Sequence, residues 1–189
     1  ALVKRLIEDD AIVTSLGSEV DISQKSLPDN LNQEWDIIIH SAGLFIKKPF
    51  AELSVNEWDN VMSINFRSAF LVAQLAHKTM KEGGWLTFIG SSSSHRGRTS
   101  QSVYAASKAA LNNLTQSLAA EFLDNHIRVN CINPPRTDTA MRHKAFPGEN
   151  KNLLANPKNV AEDILRYCDG DETGHIVNLK YSHQFQASR

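Results

Sequence analysis

The chain has 189 residues, 41% hydrophobic and 22% charged, with a formal net charge of -1. That length suffices for one domain with a sizeable core, and the near-neutral balance excludes a global field that would gather nucleic acid or an anionic membrane. Two cysteines, Cys131 and Cys168, form no Cys-x-x-Cys pair, no apolar run reaches membrane-spanning length and no signal-peptide pattern opens the chain, so a reducing, cytoplasmic setting is expected.

In chain order, residues 1–10 carry apolar side chains at Leu2, Val3, Leu6 and Ile7, a helical spacing with no visible cap before it. Residues 11–16 (AIVTSL) read as a short strand, and a weaker one ends at Val20-Asp21-Ile22. Residues 35–40 (WDIIIH) form a nearly continuous apolar run ending at Ser41-Ala42-Gly43, as a buried parallel strand does. A long helical pattern covers 54–81 and is broken near Asn65. Residues 85–90 (WLTFIG) predict another buried strand. Residues 102–125 predict a helix with a stripe at Ala106, Ala110, Leu114 and Leu118. A strand over 127–132 stops at Asn133-Pro134-Pro135; a helix over 157–169 starts with proline in its first turn, and a last strand covers 174–179. Helices alternating with short buried strands predict an α/β doubly wound parallel sheet of the Rossmann type, in a single domain over 1–189. The irregular, charged segment 134–156 follows a strand and is expected to act as a substrate lid. Ligands in such sheets bind at the carboxyl ends of the strands.

The stretch from Gly90 to Leu111 puts four serines and two arginines ahead of Tyr104-Ala-Ala-Ser-Lys108. Residues four apart share a helix face, so Tyr104 and Lys108 stand side by side at a helix start. A phenol titrates near pH 10; a neighbouring ammonium and the positive helix terminus favour phenolate, and a phenol tuned in this way exchanges a proton near neutral pH. Ser91, thirteen residues before Tyr104 and at a strand end, is placed to orient a carbonyl beside it. Taken alone the tyrosine–lysine spacing is a weak signal, equally met by a solvated surface pair.

Five further pieces accompany it, and together they resemble the short-chain dehydrogenase/reductase family. The Tyr104–Leu111 segment is similar to its catalytic helix, Gly90-Ser91 to its serine-bearing strand end, and His40-Ser41-Ala42-Gly43 to its Asn-Asn-Ala-Gly turn. Asn65 in MSINFRSAF resembles the family's asparagine, Arg128 to Pro134 its strand leading to the nicotinamide, and Asp21-Ile22 its contact near adenine. The resemblance implies hydride transfer between a nicotinamide cofactor and a carbonyl or alcohol. It implies Tyr104 as general acid or base, Ser91 on the carbonyl oxygen, Lys108 on the nicotinamide ribose and Asn65 holding a kink and a water relay. It implies cofactor contacts at Asp21, Ile22, Ser41, Ala42, Gly43, Tyr104, Lys108, Pro134, Thr137 and Thr139, and assembly into a homodimer or homotetramer.

The family opens with a strand and a glycine-rich turn that cradles the pyrophosphate. Nothing here matches it; about twenty residues of that strand and turn are expected ahead of Ala1. A non-catalytic binding or regulatory protein that has lost this cofactor site is the alternative reading. No acid stands near Thr14 to Ser18 to grip a ribose diol, which favours NADP over NAD. His40 replaces the first asparagine and reads as a strand-end imidazole bonded to backbone. The seven histidines show no metal-ligand spacing, so no metal is expected.

Arg96, Arg98, Arg136 and Arg142 fall in the two segments bordering the expected cleft, with Ser92 beside them, and arginine suits phosphate or carboxylate. The expected small-molecule substrate is then anionic. The segments at 43–49, 91–98 and 133–142 are also similar to the reductase half of bifunctional cytidylyltransferase/reductase proteins, which implies ribulose 5-phosphate; a different carbonyl substrate stays equally open.

Overall fold

In the computed structural model, residues 1–16, 26–168 and 170–180 are described. Four strands pair in parallel in the order β1 (Trp35–His40), β2 (Met80–Ile89), β3 (Arg128–Asn133) and β4 (Ile176–Asn178). Parallel neighbours need crossovers, and helices supply them. α2 (Val55–Met62) and α3 (Ser68–Thr79) link β1 to β2, α4 (Ser102–Glu121) links β2 to β3, and α5 (Ala140–Ala145) and α6 (Pro157–Tyr167) link β3 to β4. α1 (Leu2–Glu8) precedes the sheet.

Alternation along the strands sends successive side chains to opposite faces. Leu86, Phe88, Val129 and Cys131 meet Ala69, Ala73 and Ala76 of α3 and Leu111, Leu118 and Ala119 of α4. The three alanines let α3 lie close against the sheet. Ile132 points the other way, packing with Val160 and Ile164 of α6 and with Leu2 of α1. Each such buried side chain contributes roughly 1.5–3 kcal/mol. Both faces are therefore covered, as expected for a doubly wound sheet. Among the described residues no helix is long and apolar enough to cross a membrane.

Local sequence sets the boundaries. Ser54 caps α2 in a capping box: its hydroxyl accepts from Glu57 N at 3.2 Å, and Glu57 Oε2 accepts from Ser54 N at 2.8 Å. Asn156 caps α6, with Pro157 in its first turn. His126, at φ 54°, ends the short 3-10 turn after α4.

Several expectations are corrected. Residues 11–16 form no strand, and Ile12 is 97% exposed; an extended segment needs a neighbour for its backbone hydrogen bonds, and none lies beside it among the described residues. The weaker strand at 20–22 lies outside the described residues. Among the described residues β1 is an edge strand, and its isoleucines are half-buried rather than buried. β2 begins at Met80, not at Trp85, and the helix before it ends at Thr79. Gly83, at φ 76°, adopts a conformation within β2 that other residues resist. Of the stripe Ala106–Ala110–Leu114–Leu118, Leu118 is buried, Leu114 packs half-buried on the core and Ala106 is exposed; the rest of the buried face of α4 is Val103, Ala105, Ser107, Lys108, Leu111, Thr115 and Ala119.

Candidate active site

The carboxyl ends of the parallel strands lie along one edge of the sheet, and the first turn of α4 returns to it. β2 ends at Ile89, and Gly90 is required next. A Cβ there would lie 1.9 Å from Asn133 Oδ1 and 2.9 Å from Cys131 Sγ. The space is taken because Asn133 Oδ1 accepts from Ser91 N at 2.8 Å, while its Nδ2 donates to Asn178 Oδ1 at 3.1 Å. One buried amide thus ties the ends of β2, β3 and β4 together and sets the backbone of Ser91. The Ser91 hydroxyl accepts from Ser93 N at 3.1 Å, and the Ser91 side chain favours the ionised form of the Tyr104 phenol.

Tyr104 and Lys108 lie one turn apart on α4. Burial raises the phenol above its usual range; the Ser91 hydroxyl and the Arg142 charge pull the other way. Lys108 is 3% exposed and its Nζ donates to the Ile89 carbonyl at 2.7 Å. Burial pushes its ammonium down to about 8. Depression of the phenol by Lys108, expected from the spacing, is not found. Lys108 is turned to the end of β2, and burial outweighs the groups that favour phenolate.

The long helical pattern breaks at Asn65 into a π-helical turn, Ser63–Arg67. Asn65 is fully buried. Its Oδ1 accepts from Leu44 N at 2.6 Å, and its Nδ2 donates to Leu44 O at 3.1 Å and to Ser107 Oγ at 2.9 Å. Ser107 donates in turn to the Tyr104 carbonyl at 2.8 Å. A Cβ on Gly43 would touch both Lys108 Nζ, at 3.6 Å, and Asn65 Oδ1, at 3.8 Å. Asn65, Lys108 and Gly43 therefore converge, and Asn65 connects to the backbone of Tyr104. His40 bonds the Ser68 side chain rather than the backbone expected for it.

The segment 134–156, expected to be irregular, is more ordered than that. It contains α5 and is closed by a bridge between Thr137 and Ala155. Thr139 caps α5, accepting from Arg142 N at 3.2 Å, and Thr137 Oγ1 donates to the Pro135 carbonyl at 2.9 Å. Asp138 pairs with His143. Arg142 grips Glu149 through two bonds of 2.6 and 2.7 Å, and Arg136 joins them at 3.2 Å. These contacts hold the Glu149 carboxyl below its usual range, the Arg142 hydrogen bond contributing most. Arg142 also lies 3.7 Å over the Phe146 ring, with Lys47 Nζ 4.4 Å from the same ring. Phe146 packs on Phe45, and Phe45 meets Tyr104 edge-on at 4.6 Å. An aromatic wall thus reaches from Phe146 to the phenol.

A family model described as enoyl-(acyl carrier protein) reductase matches residues 19–178. The chain belongs to the short-chain dehydrogenase/reductase family. It is 38% identical over 152 residues to the oxidoreductase YciK of Escherichia coli (strain K12), covering 79% of this chain and 60% of that one. It is 35% identical over 146 residues to the bifunctional ribulose 5-phosphate reductase/CDP-ribitol pyrophosphorylase Bcs1 of Haemophilus influenzae, covering 76% of this chain and 31% of Bcs1. A short-chain dehydrogenase from Shigella flexneri 2a str. 301, solved in complex with NADP, superposes with a TM-score of 0.68 at 35% identity, over 77% of this chain and 63% of that one. The chain spans less than two thirds of the length of these relatives.

For a dehydrogenase/reductase of this family, the residues present fit the nicotinamide riboside end of a dinucleotide. Lys108 commits one of its three N–H groups to Ile89, and beside it Gly43 carries no side chain. Ala42 and Pro134 are half-buried at neighbouring strand ends, and Ser41 is exposed. Asp21 and Ile22 lie outside the described residues. Of the arginines, Arg136 and Arg142 share Glu149, whereas Arg96 and Arg98 are exposed without an ion-pair partner among the described residues; Ser92 is half-buried. Asn133, Ser107, Glu149, Phe45 and Phe146 were not singled out by the sequence. Asn133 alone carried a signal, as the polar residue ending an apolar strand.

Proposed function

We propose that the protein is an NAD(P)-dependent oxidoreductase acting between a carbonyl and the corresponding alcohol, with NADP as the preferred cofactor. When bound, the nicotinamide supplies or takes the hydride. Tyr104 gives its phenolic proton to the carbonyl oxygen in reduction and takes it back in oxidation. Because burial holds the phenol protonated, it is ready as an acid at neutral pH. Ser91 donates to the same oxygen, where charge develops, from a backbone fixed by Asn133. Lys108 offers its remaining N–H groups to the ribose hydroxyls, and Asn65 fixes Leu44 and the start of α4. Ser41, Ala42, Gly43, Pro134, Thr137 and Thr139 border the cofactor. The NADP held by the Shigella relative supports the cofactor choice.

The observation that carries this reading is the placement of Lys108, one turn after Tyr104 on α4, with its buried Nζ bonded to the Ile89 carbonyl at the end of β2 beside Gly43 and Asn65. The test is turnover of reduced cofactor by the full-length protein over a carbonyl panel. Tyr104→Phe should abolish turnover and leave cofactor binding intact. A phenylalanine variant with near-normal rates would remove the proton-donor role.

The finer substrate reading is an anionic sugar phosphate such as ribulose 5-phosphate. Its support is the similarity to Bcs1 and the exposed Arg96 and Arg98, with Ser92 between them and Ser91. Arg136 and Arg142 would join only after giving up Glu149. Comparing kcat/KM for ribulose 5-phosphate and ribulose tests it; equal values remove the arginine clamp. The buried thiols of Cys131 and Cys168 support a reducing, cytoplasmic setting, and the single domain, the lid role of 134–156 and homo-oligomeric assembly complete the proposal.

A further inference from the structure

His40 is a buried histidine that the proposed reaction does not use. Its Nε2 lies 2.6 Å from Ser68 Oγ. The Ser68 hydroxyl has one proton, and it donates to the Ile64 carbonyl at 2.6 Å. The imidazole must then be the donor to Ser68, which places its proton on Nε2 and leaves Nδ1 as a bare acceptor. Nδ1 is buried and has no partner. Burial, helped by the Lys108 ammonium, pushes the ring down to about 3, so His40 is neutral at working pH.

The receiving carbonyl sits in the π-turn. Ser68 N donates to Ser63 O, five residues back. In an α-register it would have served Ile64 O; here the Ser68 side chain does. The turn is tied to the end of β1 at two points. His40 reaches it through Ser68, and Asn65 reaches back to both backbone groups of Leu44. From Asn65 the bonded path continues through Ser107 to the Tyr104 carbonyl. Two sets of hydrogen bonds, joined by the peptide link between Ile64 and Asn65, thus lead from β1 to the first turn of α4.

We propose that His40 and Ser68 are positioning residues for the reaction, pinning the π-turn to the end of β1 and thereby aiming Asn65 at Leu44 and Ser107. The inference rests on the roles assigned to Tyr104 and Asn65 above. Both side chains are buried, and neither is among the residues that meet substrate or cofactor in that reading. A purely space-filling role would leave the same two side chains buried but would not depend on the hydroxyl or on a donor at Nε2.

The experiment is steady-state reduction by the full-length protein, with the NADPH Kd measured alongside. Ser68→Ala keeps the helix and removes only the hydroxyl. It should lower kcat about tenfold, the order expected for loss of an outer-layer support, with the Kd unchanged. His40→Leu should do the same. His40→Gln, whose amide nitrogen occupies the place of Nε2, should restore most of the rate. A near-normal kcat for Ser68→Ala overturns the proposal, and so does His40→Gln that is no better than His40→Leu. If His40→Leu does not fold, Ser68→Ala decides alone. Tyr104→Phe in the same assay separates the two ideas. A silent phenylalanine variant beside an unimpaired Ser68→Ala defeats the positioning role only, whereas an active phenylalanine variant defeats the reading beneath it.

Discussion

Gly90→Ala should be among the most damaging single-methyl additions in the protein. The new Cβ would fall 1.9 Å from Asn133 Oδ1 and 2.9 Å from Cys131 Sγ, distances at which something must move. Overpacking of this kind costs roughly 1–3 kcal/mol. If Asn133 yields, its bonds to Ser91 N and Asn178 Oδ1 are lost as well. Each such bond contributes about 1 kcal/mol, and more when a buried group is left unpaired. The total comes to about 3–5 kcal/mol, which at roughly 2 kcal/mol per molar urea moves the unfolding midpoint by about 2 M. The clash itself is isolated by a double-mutant cycle. Asn133→Ala removes the oxygen that the methyl strikes, so Gly90→Ala should cost at least about 1 kcal/mol less in that background. Urea titrations of wild type, both single variants and the double variant in the full-length protein measure this. Additivity within about 0.5 kcal/mol would refute the steric account of Gly90.

Lys108→Ala should weaken both cofactor binding and turnover, in contrast to Tyr104→Phe, and a binding titration beside the rate assay distinguishes them. Glu149→Gln leaves Arg136 and Arg142 without their carboxylate, so KM for a phosphorylated ketose should fall while that for its unphosphorylated form stays constant. Glu149 is held below its ordinary value when folded. The stability that its pairing provides is therefore present above about pH 4.5 and is lost as the pH falls through the folded-state value. The urea midpoints of wild type and Glu149→Gln should differ at pH 7 and converge on acidification below that window.

How much was legible depended on whether the signal was local. The runs WDIIIH, WLTFIG and IRVNCI announced β1, β2 and β3 because buried parallel strands are apolar on both faces. AIVTSL has the same composition and forms no strand, since a strand is a relation to a neighbour and not a property of six residues. Tyr104 and Lys108 were legible as a pair because helical spacing fixes their common face. The orientation of Lys108 toward Ile89 was not, because it depends on where β2 ends. The buried face of α4 was legible at Leu114 and Leu118 but not elsewhere, for a related reason: its inward positions include Ser107, Lys108 and Thr115, while the small apolar Ala106 is exposed. Asn65 was visible as a break, but its link to Ser107 spans 42 positions and exists only in the fold. The helix AMRHKA is too short for a periodic pattern and relies on its Thr139 cap.

The electrostatics of the site place a constraint on how the phenol is used. Lys108 is absent from the groups that favour phenolate, and its own ammonium is partly discouraged by burial. The side chains that favour its phenolate are Ser91 and Arg142. Ser91 is held through Asn133 to two further strands. Arg142 belongs to the segment 134–156, and a carboxylate bound in bidentate fashion partly cancels its field. The acidity of the phenol therefore has one contribution from the sheet and a second from the segment 134–156. Any movement that separates Arg142 from Glu149 without taking it from Tyr104 strengthens the second. Loss of the Arg142 contact altogether leaves burial opposed by Ser91 alone, and the phenol then keeps its proton more firmly. The acidity of the phenol is thus linked to the segment 134–156 through that one guanidinium.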